Sequence, residues 1–194
     1  MSKTPLSLLA IAALAVLVGG CSPQDATVSA PSTVAKPAQA YEAVAAQGKG
    51  FTVGAMMSAK AVYVFFDPQC SHCSHLWEAS VPLHGKVKFV WVPLALMNAK
   101  SASQGAALLG ASDAAALMNT HEKSLLGGTG GIPASANPPP ELAQAIQDNT
   151  ALFNRLGGES VPYLLARHLR TDEIVTQSGA MDTPALSKLL GVAL

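Results

Sequence analysis

The sequence predicts an α/β protein: a central mixed sheet flanked by helices, with an all-helical insertion. Three observations carry that expectation. Two strand-like apolar runs, Ala61 to Phe66 and Lys86 to Leu96, enclose a segment of helical character from Cys70 to about Val81. An alanine/leucine-rich stretch from Ser101 to Leu126 then lacks strand periodicity. Beyond it, Val161 to Ala166 and Ile174 to Gln177 read as a strand pair, followed by a last helix.

The chain starts with a targeting pattern. Lys3 gives a weakly positive start, Leu6 to Val18 is apolar, and Val18-Gly19-Gly20-Cys21 resembles a bacterial lipobox. The apolar run is shorter than the roughly 20 residues of a spanning helix. Residues 1–20 are therefore expected to be a lipoprotein signal peptide, and Cys21 the lipidated residue. Residues 21–40, rich in Pro, Ala, Ser and Thr, are expected to form a disordered tether. A domain over residues 41–194 follows.

Within that domain, Tyr41 to Ala46 suggests a short helix, and Phe51 to Val53 a strand ahead of Ala61–Phe66. Met56 and Met57 between these strands read as core filling. Pro82 ends or kinks the Cys70 helix. Gly110 and Asp113 divide Ser101–Leu126 into two helices, and Pro139-Pro140-Glu141 opens a third, to about Leu156. The insertion thus spans about residues 100–157. Asp182-Thr183-Pro184 caps the final helix to about Leu190. The order β, β, α, β, helical block, β, β, α is a thioredoxin-like plan.

Composition bounds the partners. Twelve Lys+Arg balance 12 Asp+Glu, with no basic cluster, so no nucleic-acid partner is expected. The chain is 49% hydrophobic, enough for a core without disulfide staples, and it has three cysteines. With Cys21 consumed by lipid, Cys70 and Cys73 remain as one C-x-x-C pair, free to cycle.

That pair lies in Phe65-Phe66-Asp67-Pro68-Gln69-Cys70-Ser71-His72-Cys73, at a strand-to-helix junction. There the helix dipole and unpaired N–H groups favour a thiolate at Cys70, and one helical turn brings Cys73 within disulfide range. Cys70 is the expected nucleophile, to be accessible for attack, and Cys73 the more buried resolving thiol. The imidazole of His72 is expected to stabilise the Cys70 thiolate. Asp67 reads as a turn former or a buried proton carrier, with the turn former favoured. His75 is expected to face solvent, and His84, His121 and His168 to lie on the surface. Cys70, His72, Cys73 and His75 also spell C-x-H-C-x-H, a pattern compatible with zinc or copper delivery. No metal or other cofactor is expected. Val161-Pro162, between a Gly-rich loop and an apolar strand, suggests a cis-proline opposite the cysteines that exposes the Val161 backbone to an extended substrate.

The D-P-x-C-x-x-C motif, Val161-Pro162 and the helical insertion resemble the periplasmic DsbC/DsbG disulfide isomerases, over roughly Phe51 to Leu194. The resemblance implies that Cys70 attacks, Cys73 resolves and Pro162 is the cis-proline. It also implies exported proteins with cysteines or disulfides as substrates and a membrane thiol/disulfide redox partner. The implied location is the periplasm, with Cys21 lipid holding the chain to a membrane. The family's N-terminal dimerisation domain has no counterpart ahead of Phe51, so a monomer is expected. His72 and Val161 are similar to the corresponding residues of DsbA-type oxidases, which makes a monomeric oxidase the alternative.

Overall fold

The computed structural model describes residues 36–194. Cys21, the expected signal peptide and most of the expected tether lie outside the described residues. Chain order is α1 (Pro37–Gln47), β1 (Phe51–Gly54), β2 (Ala61–Phe66), α2 (Ser71–Ser80), β3 (Lys88–Pro93), α3 (Ala99–Leu109), α4 (Ala114–Leu126), α5 (Pro140–Arg155), β4 (Tyr163–Arg167), β5 (Ile174–Ser178) and α6 (Thr183–Leu190). A 3₁₀ turn, Val81–Leu83, carries Pro82 directly after α2.

The strands form one mixed sheet in the order β1-β3-β2-β4-β5. β2 runs parallel to β3 and antiparallel to β4, and the two edge strands are antiparallel to their neighbours. β2 is central because it is β-branched and aromatic along its length, with side chains buried on both faces. Its alternation feeds two cores. Val62, Val64 and Phe66 pack with Leu76, Trp77, Met118 and Leu186 under α2, α4 and α6. Phe65 packs on the opposite face with Tyr41, Val44, Leu152 and Phe153 of α1 and α5.

The register fixes the site. β2 pairs with β4 from Val62↔Ala166 to Phe65↔Tyr163, so one further step brings Pro162 level with Phe66, at the strand end that feeds the Cys70 turn. The insertion joins the same core: Leu108 of α3, Met118 of α4 and Ile132 of the following loop are buried in the cluster that contains Cys70 and Cys73.

Three expectations are corrected. The first helix starts at Pro37, which takes the first helical position its fixed φ favours, and Ala40 is already buried in the core. Met56 and Met57 are exposed, Met57 to 97%, because they sit on the β1–β2 turn. His121 is fully buried and His84 half-buried, edge-on to Trp77 and tilted against Phe89. His84 is held there by Ser80 Oγ, 3.1 Å from its Nε2.

Phe66 meets Phe51 and Trp91 edge-to-face, with centroids at 6.1 and 5.4 Å. Phe66→Ala is expected to cost about 3–5 kcal/mol through lost burial and an unfilled cavity. Urea unfolding checks this: the midpoint should fall markedly, with the slope preserved.

Candidate active site

The site is built where β2 ends and α2 begins. Cys70 is the N-cap residue of α2, in an extended conformation, and its carbonyl accepts from the N–H groups of Cys73 and Ser74. No side chain closes a capping hydrogen bond there. The N–H groups of His72 and Cys73 lie instead against the Cys70 sulfur and favour its thiolate.

Both cysteines are free thiols. Hydrogen bonding from the Cys73 thiol is the leading influence on Cys70; with the two backbone N–H groups it outweighs burial and the repulsion of Asp67. The Cys70 thiol is thereby brought down to about 7. Burial drives Cys73 the other way, well above the ordinary thiol range, reinforced by its bond to Cys70 and by the negative charges of Cys70 and Glu122. The pair is asymmetric: one sulfur ready to ionise, one held as a thiol.

Exposure departs from the expectation of an accessible nucleophile. Cys70 is only 4% exposed and Cys73 is fully buried. Cys70 Sγ donates to the Val161 carbonyl at 3.6 Å, and the Val161–Pro162 peptide bond is cis. Pro162 is buried and Val161 half-buried, so the backbone of Val161 borders the sulfur. The structure thus brings together Cys70, Cys73, Val161 and Pro162. The His72 side chain is exposed, its ring 6.5 Å from that of the exposed His75, and it is the backbone N–H of His72 that serves the sulfur. The cysteines point into the core and the two rings into solvent. Among the described residues, no group of three or more His, Cys, Asp or Glu side chains is placed to hold a metal ion.

The turn carrying Cys70 is held by residues whose burial and long-range partners the sequence did not reveal. Asp67 is fully buried and accepts from four donors: Gln69 N at 2.8 Å, Ser101 Oγ at 2.7 Å, Leu96 N at 2.7 Å and Met97 N at 3.0 Å. The first of these is the expected turn-forming bond; the others tie the turn to the exit of β3 and the start of α3. His121 on α4 reaches the Pro68 carbonyl at 2.6 Å through Nε2, while its Nδ1 accepts from Ile132 N at 3.2 Å. That pairing makes the ring neutral with its proton on Nε2, and burial lowers its pKa in the same sense. Gln104 binds the carbonyls of Gly130 and Ile132, and Gln69 shares that of Gly130. Gly131 permits the close passage: its φ is +85°, and a Cβ there would lie 2.5 Å from the His121 ring. The only sequence signal for His121 and Glu122 is their helical spacing from the buried Met118, which puts all three on one stripe of α4.

No protein-family model matches the chain. It is 26% identical over 135 residues to the thiol:disulfide interchange protein DsbG of Pseudomonas aeruginosa, and 28% identical over 134 residues to that of Escherichia coli. Those alignments cover 68% and 67% of this chain and 51% and 52% of the relatives, so the chain spans about half their length. Among solved structures, the catalytic domain of Proteus mirabilis ScsC superposes with a TM-score of 0.59 at 19% identity, covering 79% of this chain and 94% of that one. A periplasmic thioredoxin-like protein from Salmonella enterica gives 0.58 at 18% identity, covering 78% and 94%. A disulfide interchange protein from Neisseria gonorrhoeae gives 0.56 at 20%, covering 74% and 94%. At these identities the superpositions establish a thioredoxin-like fold.

Three outcomes are expected. Alkylation of Cys70 should rise with pH through a midpoint near 7, because only the thiolate reacts. In Cys73→Ala, which removes the leading hydrogen bond, the midpoint should move upward; a fixed or lower midpoint would contradict the geometry. Asp67→Asn replaces an acceptor oxygen with an amine facing backbone donors, and should cost about 3 kcal/mol in chemical denaturation.

Proposed function

Taking the chain as a thioredoxin-fold protein of DsbC/DsbG type, we propose that it is a periplasmic thiol:disulfide oxidoreductase acting on exported proteins, in the isomerase or reductase direction. The observation that carries this reading is the asymmetry of the pair beside the Val161 backbone: Cys70 lowered to about 7, Cys73 raised and buried. The Cys70 thiolate attacks a substrate disulfide, one substrate sulfur leaves, and a Cys70–substrate mixed disulfide forms. Attack by Cys73 on the Cys70 sulfur expels the second substrate sulfur and closes the Cys70–Cys73 disulfide. A membrane redox partner then returns the pair to thiols. Isomerisation ends instead when a substrate thiolate displaces Cys70 from the mixed disulfide.

Pro162 and Val161 shape the approach. An extended substrate segment pairs with the main chain of Val161, which places its sulfur against the small exposed part of Cys70. His72 contributes its backbone N–H to the thiolate, and its exposed ring meets the partner. Lipid on Cys21 holds the domain to a membrane as a monomer. No helix among the described residues is long and apolar enough to cross one.

A second reading is a DsbA-like oxidase, favoured by His72 in Cys-Ser-His-Cys and by Val161 ahead of Pro162. Acid trapping and thiol alkylation in cells separates the two: a mostly reduced pair is the expected result, and a mostly oxidised pair would select the oxidase. Cys70→Ala is expected to abolish exchange, and Cys73→Ala to accumulate mixed disulfides on denaturing gels. A Cys73→Ala protein with full activity and no trapped partner would overturn the assigned roles. Cys21→Ala should release the domain from membranes.

A further inference from the structure

Disulfide exchange leaves one proton without a carrier. Cys73 must lose its proton to attack Cys70 and regain one when the pair is reopened, yet it is fully buried and held strongly as a thiol. We infer that Glu122, contributed by the helical insertion, is the group that takes and returns the Cys73 proton; this rests on the exchange reading above.

Glu122 is 2% exposed and lies on α4, which packs across α2. Ser74, the residue after Cys73, donates its hydroxyl to Oε2 and fixes the carboxyl against the active-site helix. Oε1 is fully buried and has no hydrogen-bond partner. A buried carboxyl with an unused oxygen carries a desolvation cost that ordinary packing would have removed. Its charge is felt by Cys73, and it feels that of Cys70.

The other titratable groups are few. Cys70 at the cap of α2 and Glu78 within it oppose ionisation of Glu122 when negative, and Glu122 in turn acts on Cys73. β1 has no titratable side chain, and the one charged residue of α3, Lys100, places its Nζ against Gly130. On α4 itself, His121 is held by Pro68 and Ile132, and Lys123 is exposed.

The coupling gives the transfer a direction. Burial, followed by the Cys70 charge and Glu78, lifts Glu122 to about 8 against the pull of Ser74. When Cys70 is captured in a mixed disulfide its negative charge disappears. Glu122 then ionises more readily, and the Cys73 thiol becomes more acidic, because Cys70 was raising both. The Glu122 carboxylate accepts the Cys73 proton and the thiolate attacks Cys70 Sγ. The bond from Cys70 to the substrate breaks, and the substrate sulfur leaves as a thiolate that water protonates. In the opposite direction, the Glu122 carboxylic acid protonates Cys73 as the Cys70–Cys73 disulfide opens.

The test is stopped-flow reaction of the full reduced chain with dithiobis(nitrobenzoate). The first release of thionitrobenzoate reports attack by Cys70, and the second reports resolution by Cys73. In Glu122→Gln the second step is expected to slow about a hundredfold at neutral pH. The first step should be retained, and the break in the pH profile of the second should vanish. In Ser74→Ala, which keeps the carboxyl and frees it from its donor, the break should move to higher pH. Infrared spectra of the reduced wild-type protein should show a buried carboxylic acid band that is absent from Glu122→Gln. Wild-type resolution kinetics with an unchanged pH profile in Glu122→Gln would overturn the assignment. If Glu122→Gln does not fold, an unmoved break in Ser74→Ala would overturn it. A wild-type chain that releases no thionitrobenzoate would overturn the exchange reading and this assignment with it.

Discussion

The buried carboxylate of Asp67 is where the site's geometry is decided. It gathers donors from the turn before Cys70 and from the stretch between the end of β3 and the start of α3, about thirty residues further along the chain. A buried charge survives at this cost only when its oxygens are well supplied with donors, and Asp67 has four. The consequence is a Cys70 turn whose backbone cannot drift relative to β3 or to the insertion. The His121 bond to Pro68 adds a second tie from α4 to the same short turn. Both ties are polar and buried, so neither has water as a ready substitute partner.

On that rigid turn, the electrostatics follow from position along one helix. Cys70 sits at the cap, where the His72 and Cys73 N–H groups and the Cys73 thiol together favour its thiolate. Cys73, one turn further in, is fully buried and held as a thiol by that burial and by its hydrogen bond to Cys70. Strand β4 completes the arrangement from the other side, because its pairing with β2 delivers the Val161 carbonyl to Cys70. Sheet register and helix start therefore meet at a single sulfur.

The sequence carried the local parts of this well. The C-x-x-C pair, the apolar runs of β2 and β3, the Pro-initiated α5 and the Asp182 cap are short-range patterns, and each element lies within a few residues of its expected place. The Val161–Pro162 junction was legible only through its combination with the cysteines. What escaped was tertiary. His121 looks like any polar residue of an alanine-rich helix, and its burial depends on Gly131 passing close enough to cover it. Asp67 read as a turn former because only one of its four donors is local. Met56 and Met57, apolar by type, ended on an exposed turn that no periodicity marks. The role expected of the His72 ring belongs to its backbone.

Gly131 has a consequence for transplanting this chemistry. The four residues Cys-Ser-His-Cys are portable as a string, since many strand-to-helix junctions have room for them. The support they rest on here is not portable in that way. It runs from Gly131 through His121 to Pro68, and from Gln104 through the Gly130 carbonyl to Gln69. A loop nearly sixty residues downstream of the cysteines (Cys73 to Gly130) thus belongs to the same structural unit. A chimera that moved the motif and left the insertion behind would inherit the cysteine pair without the scaffold that holds its turn. Structurally, the cysteine motif and the insertion form one unit joined through Gly131, His121 and Pro68.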